Sequence, residues 1–163
     1  MTIVGNIKGP TGSTGAAGAN AWDTIARTTQ DRGTANTTAT DVPDLSVALL
    51  ANTVYEFEAV LQVASSSSAG CKYAVNFSAA GATAFAVYSG AVTATTGAVT
   101  ATNALATLDA TAFVAAAIDA EVIVKGTVRV GANAGNLTIQ QAKVTSGTAT
   151  VRSNSVLKVR KVA

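Results

Sequence analysis

Between Thr53 and Val63 apolar and polar residues alternate with a period of two. Tyr55, Phe57, Ala59, Leu61 and Val63 fall on one side, and Glu56, Glu58 and Gln62 on the other. Successive side chains of an extended strand point to opposite faces, so the spacing predicts a half-buried antiparallel strand. Glu121 to Val130 repeats the pattern. Val122, Val124, Gly126, Val128 and Val130 share one face, against Glu121, Lys125, Thr127 and Arg129 beside Ile123. Further strands are expected at 21–28, 72–78, 83–88, 136–144 and 150–162, the last with Leu157 and Val159 facing away from Lys158 and Arg160. The Thr- and Val-rich stretch 92–109 favours strand, punctuated by Gly97. Turns are expected at 65–70, at Ser89-Gly90 and at 131–135, and a polar loop at 31–41 punctuated by Pro43. Residues 112–119 fit either a helical turn or an extended lead into the next strand. The sum is about eight strands without a convincing helix, which predicts an all-β sandwich, with a jelly roll as the natural eight-stranded form.

The first twenty residues follow a different rule. Gly9, Gly12, Gly15 and Gly18 open four consecutive triplets. Only glycine fits at the axis where three polyproline-like chains meet, so the period is collagen-like. Four triplets with one proline cannot hold a triple helix alone, and at about 3.1 Å per residue they reach roughly 37 Å. The alternative is a flexible Gly/Ala/Ser/Thr linker. The expected division is residues 1–8 as an N-terminal segment, 9–20 as the collagen-like segment, 21–43 as linker with a first strand, and 44–163 as the head. A triple helix needs three chains, so a short stalk implies a homotrimer whose head holds the three ends together and lowers the entropic cost of starting it. Trp22 stands where stalk meets head. It is either an exposed aromatic able to stack on a sugar or one of three copies packed around an axis at that junction.

Composition supports association. The 163 residues are 48% hydrophobic but only 5% aromatic and 12% charged, against a usual charged share of roughly 25%. Ala and Val dominate the apolar share, and a core of small side chains buries little area per residue, at roughly 25 cal/mol per Å². The net charge is +2, with basic residues scattered except for Lys158, Arg160 and Lys161, a pattern that does not suggest nucleic-acid binding. No basic leader with an apolar run, and no stretch approaching 18 apolar residues, is found. The expectation is therefore synthesis in the cytoplasm without a signal peptide and no membrane insertion.

Candidate chemistry is sparse. The chain has no histidine and one cysteine, which excludes Ser–His–Asp and Cys–His nucleophile systems, His-ligated metals and a Cys-based zinc site. No Walker A sequence follows a Gly-rich loop. The expectation is no catalytic residue, no cofactor and no metal. Cys71 reads as a small buried thiol. Glu56 and Glu58 are two apart on one strand, about 7 Å along it, a separation that glycosidase carboxylates use. Asp119 and Glu121 share that spacing. A strand's polar face produces the same pattern without function.

Three segments carry a resemblance: Leu49-Leu50-Ala51-Asn52-Thr53-Val54-Tyr55-Glu56-Phe57-Glu58-Ala59, Gly135-Asn136-Leu137-Thr138-Ile139-Gln140, and Ser155-Val156-Leu157-Lys158-Val159-Arg160-Lys161-Val162. Over residues 44–163 the chain resembles bacteriophage virion proteins whose heads are jelly rolls of the tumour-necrosis-factor/C1q type. The resemblance implies a homotrimeric fibre, spike or capsid-decoration protein located on the virion. Residues 1–8, with Ile3, Val4 and Ile7 as apolar contacts, would anchor it to a major capsid protein or another virion protein. The stalk is far shorter than that of large tail fibres, which favours an appendage seated close to the particle. The same fold also serves receptor-binding heads that recognise a host-surface glycan or protein. A polysaccharide depolymerase built on Glu56 or Glu58 is the third reading.

Overall fold

A computed structural model describes residues 22–91, 96–109, 112–114 and 118–162. The glycine triplets at Gly9, Gly12, Gly15 and Gly18, and the anchor positions Ile3, Val4 and Ile7, lie outside the described residues. Among the described residues eleven strands follow in chain order: β1 (Thr24–Arg27), β2 (Arg32–Thr34), β3 (Thr40–Leu49), β4 (Val54–Ser65), β5 (Cys71–Phe77), β6 (Thr83–Ala91), β7 (Gly97–Thr102), β8 (Asp119–Arg129), β9 (Gly135–Lys143), β10 (Ala149–Val151) and β11 (Val156–Lys161). No helix occurs among the described residues.

Every strand pairing is antiparallel. The large sheet runs β1–β11–β4–β8–β6–β7, with β10 also pairing β4 and β2 pairing β10. The small sheet runs β3–β9–β5. The predicted inward positions of β4 and β8 are the core. Tyr55, Phe57, Ala59, Leu61 and Val63 are buried, as are Val122, Val124 and Val128, and they join Leu137, Ile139, Tyr73 and Val75 of the small sheet in one cluster. Each fully buried Leu or Phe stabilises by about 1.5–3 kcal/mol. An all-β architecture of antiparallel sheets is therefore what the alternation encodes.

Several local expectations change. The stretch 31–41 is not a loop throughout: it contains β2 and the start of β3, and the head boundary expected at residue 44 falls inside β3. Pro43 is accommodated because β3 bulges there. Val42 and Leu45 are both buried although three apart, and the register with β9 shifts between Asp41 and Ser46. Proline has no N–H to donate and is tolerated at a bulge on an edge strand. Ser89-Gly90 is not a turn but part of β6, because a glycine there lets β6 lie close to Val122. The long last strand is two, β10 and β11, divided at 152–155 where Asn154 adopts φ 67°. Residues 112–114 hold one bridge residue and then turn: Phe113 exchanges two backbone hydrogen bonds of 2.8 Å with Cys71 and packs its ring 6.3 Å from that of Tyr73, and Val114 adopts φ 54°. About eight expected strands thus become eleven, because short pairings such as β2 with β10 carry no periodic signal over three residues.

The chain enters and leaves the sandwich at one end. Asp23 donates its N–H to the Val159 carbonyl, its carboxylate accepts the Lys161 N–H at 2.6 Å, and the Val162 N–H reaches the Val54 carbonyl.

A candidate interaction face

Residues that alternate outward on the large sheet build the most distinctive surface. The pairing register places Ile25, Lys158, Glu58, Lys125 and Val87 in one row across β1, β11, β4, β8 and β6. A neighbouring row sets Arg160, Glu56, Thr127 and Phe85 side by side. Directly opposed residues on one sheet face interact, and here the opposed charges are of opposite sign.

Glu58 takes one lysine on each carboxylate oxygen: Lys158 Nζ at 3.0 Å from Oε1, and Lys125 Nζ at 3.1 Å from Oε2. The Lys158 hydrogen bond, then that from Lys125, holds the Glu58 carboxyl below its ordinary range. A general acid needs the opposite shift, towards neutrality. Glu56 is paired with Arg160. The two glutamates do share a face, as their spacing predicts, yet cations hold both oxygens of Glu58 and one of Glu56.

Trp22 lies half-buried over the end of this ladder, its ring centroid 5.8 Å from Lys158 Nζ and 5.7 Å from the Arg160 guanidinium carbon. Cations at that distance are attracted to the ring's negative face. Trp22, Glu56, Glu58, Phe85, Lys125 and Thr127 line an open trough of about 340 Å³. Lys158 and Arg160 are thus not merely a solvated stripe but seat the tryptophan.

Asp119 and Glu121 also share the outward face, at the opposite end of β8. Arg152 bridges Asp119 at 2.6 Å and Asp31 at 3.0 Å. Asp31 is lowered from its ordinary value by the Ser153 backbone N–H, then by Arg152. Glu121 accepts a hydrogen bond from Gln62 at 3.2 Å. Among the described residues no group of three His, Cys, Asp or Glu side chains is placed to hold a metal ion, and no helix is long and apolar enough to cross a membrane. Cys71 is buried as expected, with its thiol pushed up by desolvation.

The outward apolar residues were not foreseen. Ile25, Phe85 and Val99 are 60%, 51% and 73% exposed, and Val60 and Ile123 are half-buried beside them. The available signal was Val60 and Ile123, which interrupt the polar side of two otherwise clean alternations. The outward side of the small sheet differs: there Ser46 and Thr138 hydroxyls bond at 2.9 Å and Gln140 donates to Asp41 at 2.6 Å, while Gln140 Oε1 is buried without a hydrogen-bond partner. The chain matches no family model, no curated protein and no solved structure.

Proposed function

We propose that this chain is a structural protein of a bacteriophage particle: a homotrimeric jelly-roll head on a short collagen-like stalk, acting as a capsid decoration, head spike or short fibre and carrying no catalytic site. The observation that carries the reading is the strand connectivity. Consecutive strands β3, β4, β5 and β6 alternate between the small and the large sheet, and the chain crosses again from β8 to β9 and from β9 to β10, with orders β1–β11–β4–β8–β6–β7 and β3–β9–β5. Crossing between two packed sheets is a feature that jelly rolls share with other antiparallel sandwiches, and it supports that reading. Entry and exit of the chain at one end of the sandwich add support, because a stalk preceding Trp22 would then leave the opposite end projecting. Residues 1–8, through Ile3, Val4 and Ile7, are the proposed anchor to a major capsid protein or another virion protein.

The test is deletion of residues 1–20. The truncated head should remain folded, and it should no longer join particles when supplied during assembly. Normal decoration by the truncated head would refute the anchor. Native mass of the full chain addresses the trimer, which should weigh three times 16.1 kDa.

A further inference from the structure

Between β7 and β8 the chain crosses to the free edge of the small sheet. Among the strands, β5 pairs only with β9. On its other side the Ala106 N–H donates to the Val75 carbonyl at 2.8 Å, the Asp109 N–H donates to the Tyr73 carbonyl at 2.9 Å, and Phe113 exchanges its two bonds with Cys71. The partners descend along β5 as the connection advances, so it runs antiparallel to the strand. It spends three or four residues on every two of β5, which is no regular ladder, yet it takes the carbonyls of Cys71, Tyr73 and Val75 in succession.

The connection is held in place against strain. Phe113 and Val114 are fully buried, and Leu105 packs against the core. The buried Asp109 carboxylate accepts the Thr100 hydroxyl at 2.7 Å. Against these anchors, Ala106 adopts φ 56° and Val114 φ 54°. Residues other than glycine seldom enter the left-handed region, and a β-branched one least of all. Such backbone persists only where the surroundings over-determine it.

The sequence of β5 shows what the strained connection protects. Cys71-Lys72-Tyr73-Ala74-Val75-Asn76-Phe77 contains no proline, and its register with β9 is unbroken. Tyr, Val and Phe favour strands. An edge of this kind is a template for pairing with another chain, and proteins blunt such edges with proline, a bulge, charge or a covering loop. β3, the other edge of the same sheet, has Pro43 and a bulge. β5 has neither and carries the connection instead. We infer that the described residues 105–109 and 112–114 are a strap that masks β5 from pairing with β5 of a second copy. The edge is self-complementary. Two antiparallel copies centred on Ala74 would set Tyr73 against Val75 and Lys72 against Asn76, with no like charges opposed.

The experiment compares the full chain with Ala106→Pro, at an exposed side chain whose replacement leaves no cavity. Proline cannot take φ 56° and has no N–H for Val75. The readouts are amide exchange at Asp109 and Phe113, and native mass by light scattering over a concentration series. The wild type should protect both amides and reach a limiting mass. Ala106→Pro should keep native circular dichroism and exchange the Asp109 amide at least about ten-fold faster, as a locally opened segment does. Its mass should climb above that of the wild type as concentration rises. Adding Asn76→Lys, which opposes Lys72 with a second lysine across the paired edges, should return the mass to the wild-type value. An Ala106→Pro chain with the Asp109 amide released and wild-type mass at every concentration would overturn the masking role. So would a gain in mass that Asn76→Lys leaves unchanged, because association would then use another surface. An Asp109 amide that stays protected, or loss of the native fold, would show the segment to be part of the core and not a separable strap, and would overturn it equally.

Discussion

Gly126 offers the sharpest test of how the large sheet is assembled. It lies on the inward side of β8, between Val124 and Val128, opposite Phe57 of β4 and Ala86 of β6. A Cβ built there would stand 2.0 Å from the Phe85 carbonyl oxygen, 2.9 Å from the Phe57 ring and 3.0 Å from the Ala86 Cα. The nearest of these is backbone, so no rotamer change relieves it. β6 would have to retreat by about 1 Å from β8, at the expense of ladder hydrogen bonds, while the Phe57 ring is pushed within a close-packed core. Inserting one carbon into a well-packed interior typically costs about 1–3 kcal/mol, and backbone displacement puts Gly126→Ala at the upper end, about 3 kcal/mol. For a chain of this size that corresponds to a fall in Tm of about 10 °C. Gly97→Ala is the control. Its nearest neighbour would be the Gly90 carbonyl oxygen at 3.6 Å, an ordinary contact, so removing glycine's unfolded-state freedom should leave stability equal or up to about 1 kcal/mol higher. Thermal unfolding of both variants at one protein concentration decides the matter. A Gly126→Ala melting point within about 2 °C of the wild type would refute the claim that β6 and β8 meet too closely for a side chain.

Two further outcomes concern ionisable groups. Because Lys158 and Lys125 depress the folded-state pKa of Glu58 from its ordinary 4.5, its contribution is complete above that value. It is lost as pH falls through the lower folded value. Glu58→Gln should therefore flatten the acid limb of the stability curve below pH 4.5. At neutral pH it should cost no more than about 1 kcal/mol, since the pair is partly solvated. Cys71 should resist iodoacetamide in the native state and react on unfolding. Burial raises its thiol above the ordinary 9.0, so the unfolded chain ionises first and this group's contribution is lost as pH rises beyond that value. Rapid native labelling would show that the Cys71–Phe113 bridge opens independently of global unfolding.

Strand periodicity reports which side of a strand is covered, and here it did so where strands are long. Tyr55 to Val63 and Val122 to Val130 were assigned to the core from spacing alone, because every second residue of a sheet with one buried face must be apolar. The same rule placed Glu56 and Glu58 on one face, and Cys71 in the interior followed from the habits of a lone thiol. Pairing partners were beyond its reach. Glu58 becomes a shared acceptor only because β11 and β8 flank β4, and Lys158 and Lys125 come from positions 100 and 67 residues further along the chain. Pro43 looked like punctuation because proline ends regular ladders, but a bulge opposite β9 absorbs its missing donor. Gly126 counts in the sequence only as one more position on the inward face of its strand, and the approach of the Phe85 carbonyl makes it a requirement.

What the amino-acid order determined by itself is therefore the alternation, hence the all-β class and the inward side chains, since those depend on neighbours two residues away. Only the tertiary structure decided which strands lie side by side. That choice neutralised the carboxylates, seated Trp22 over Lys158 and Arg160, and gathered Ile25, Phe85 and Val99, 74 residues apart at the extremes, onto a single face. Contacts between residues so distant in sequence leave no local period to read, because their spacing is set by how the sheet is wired and not by the geometry of any one strand.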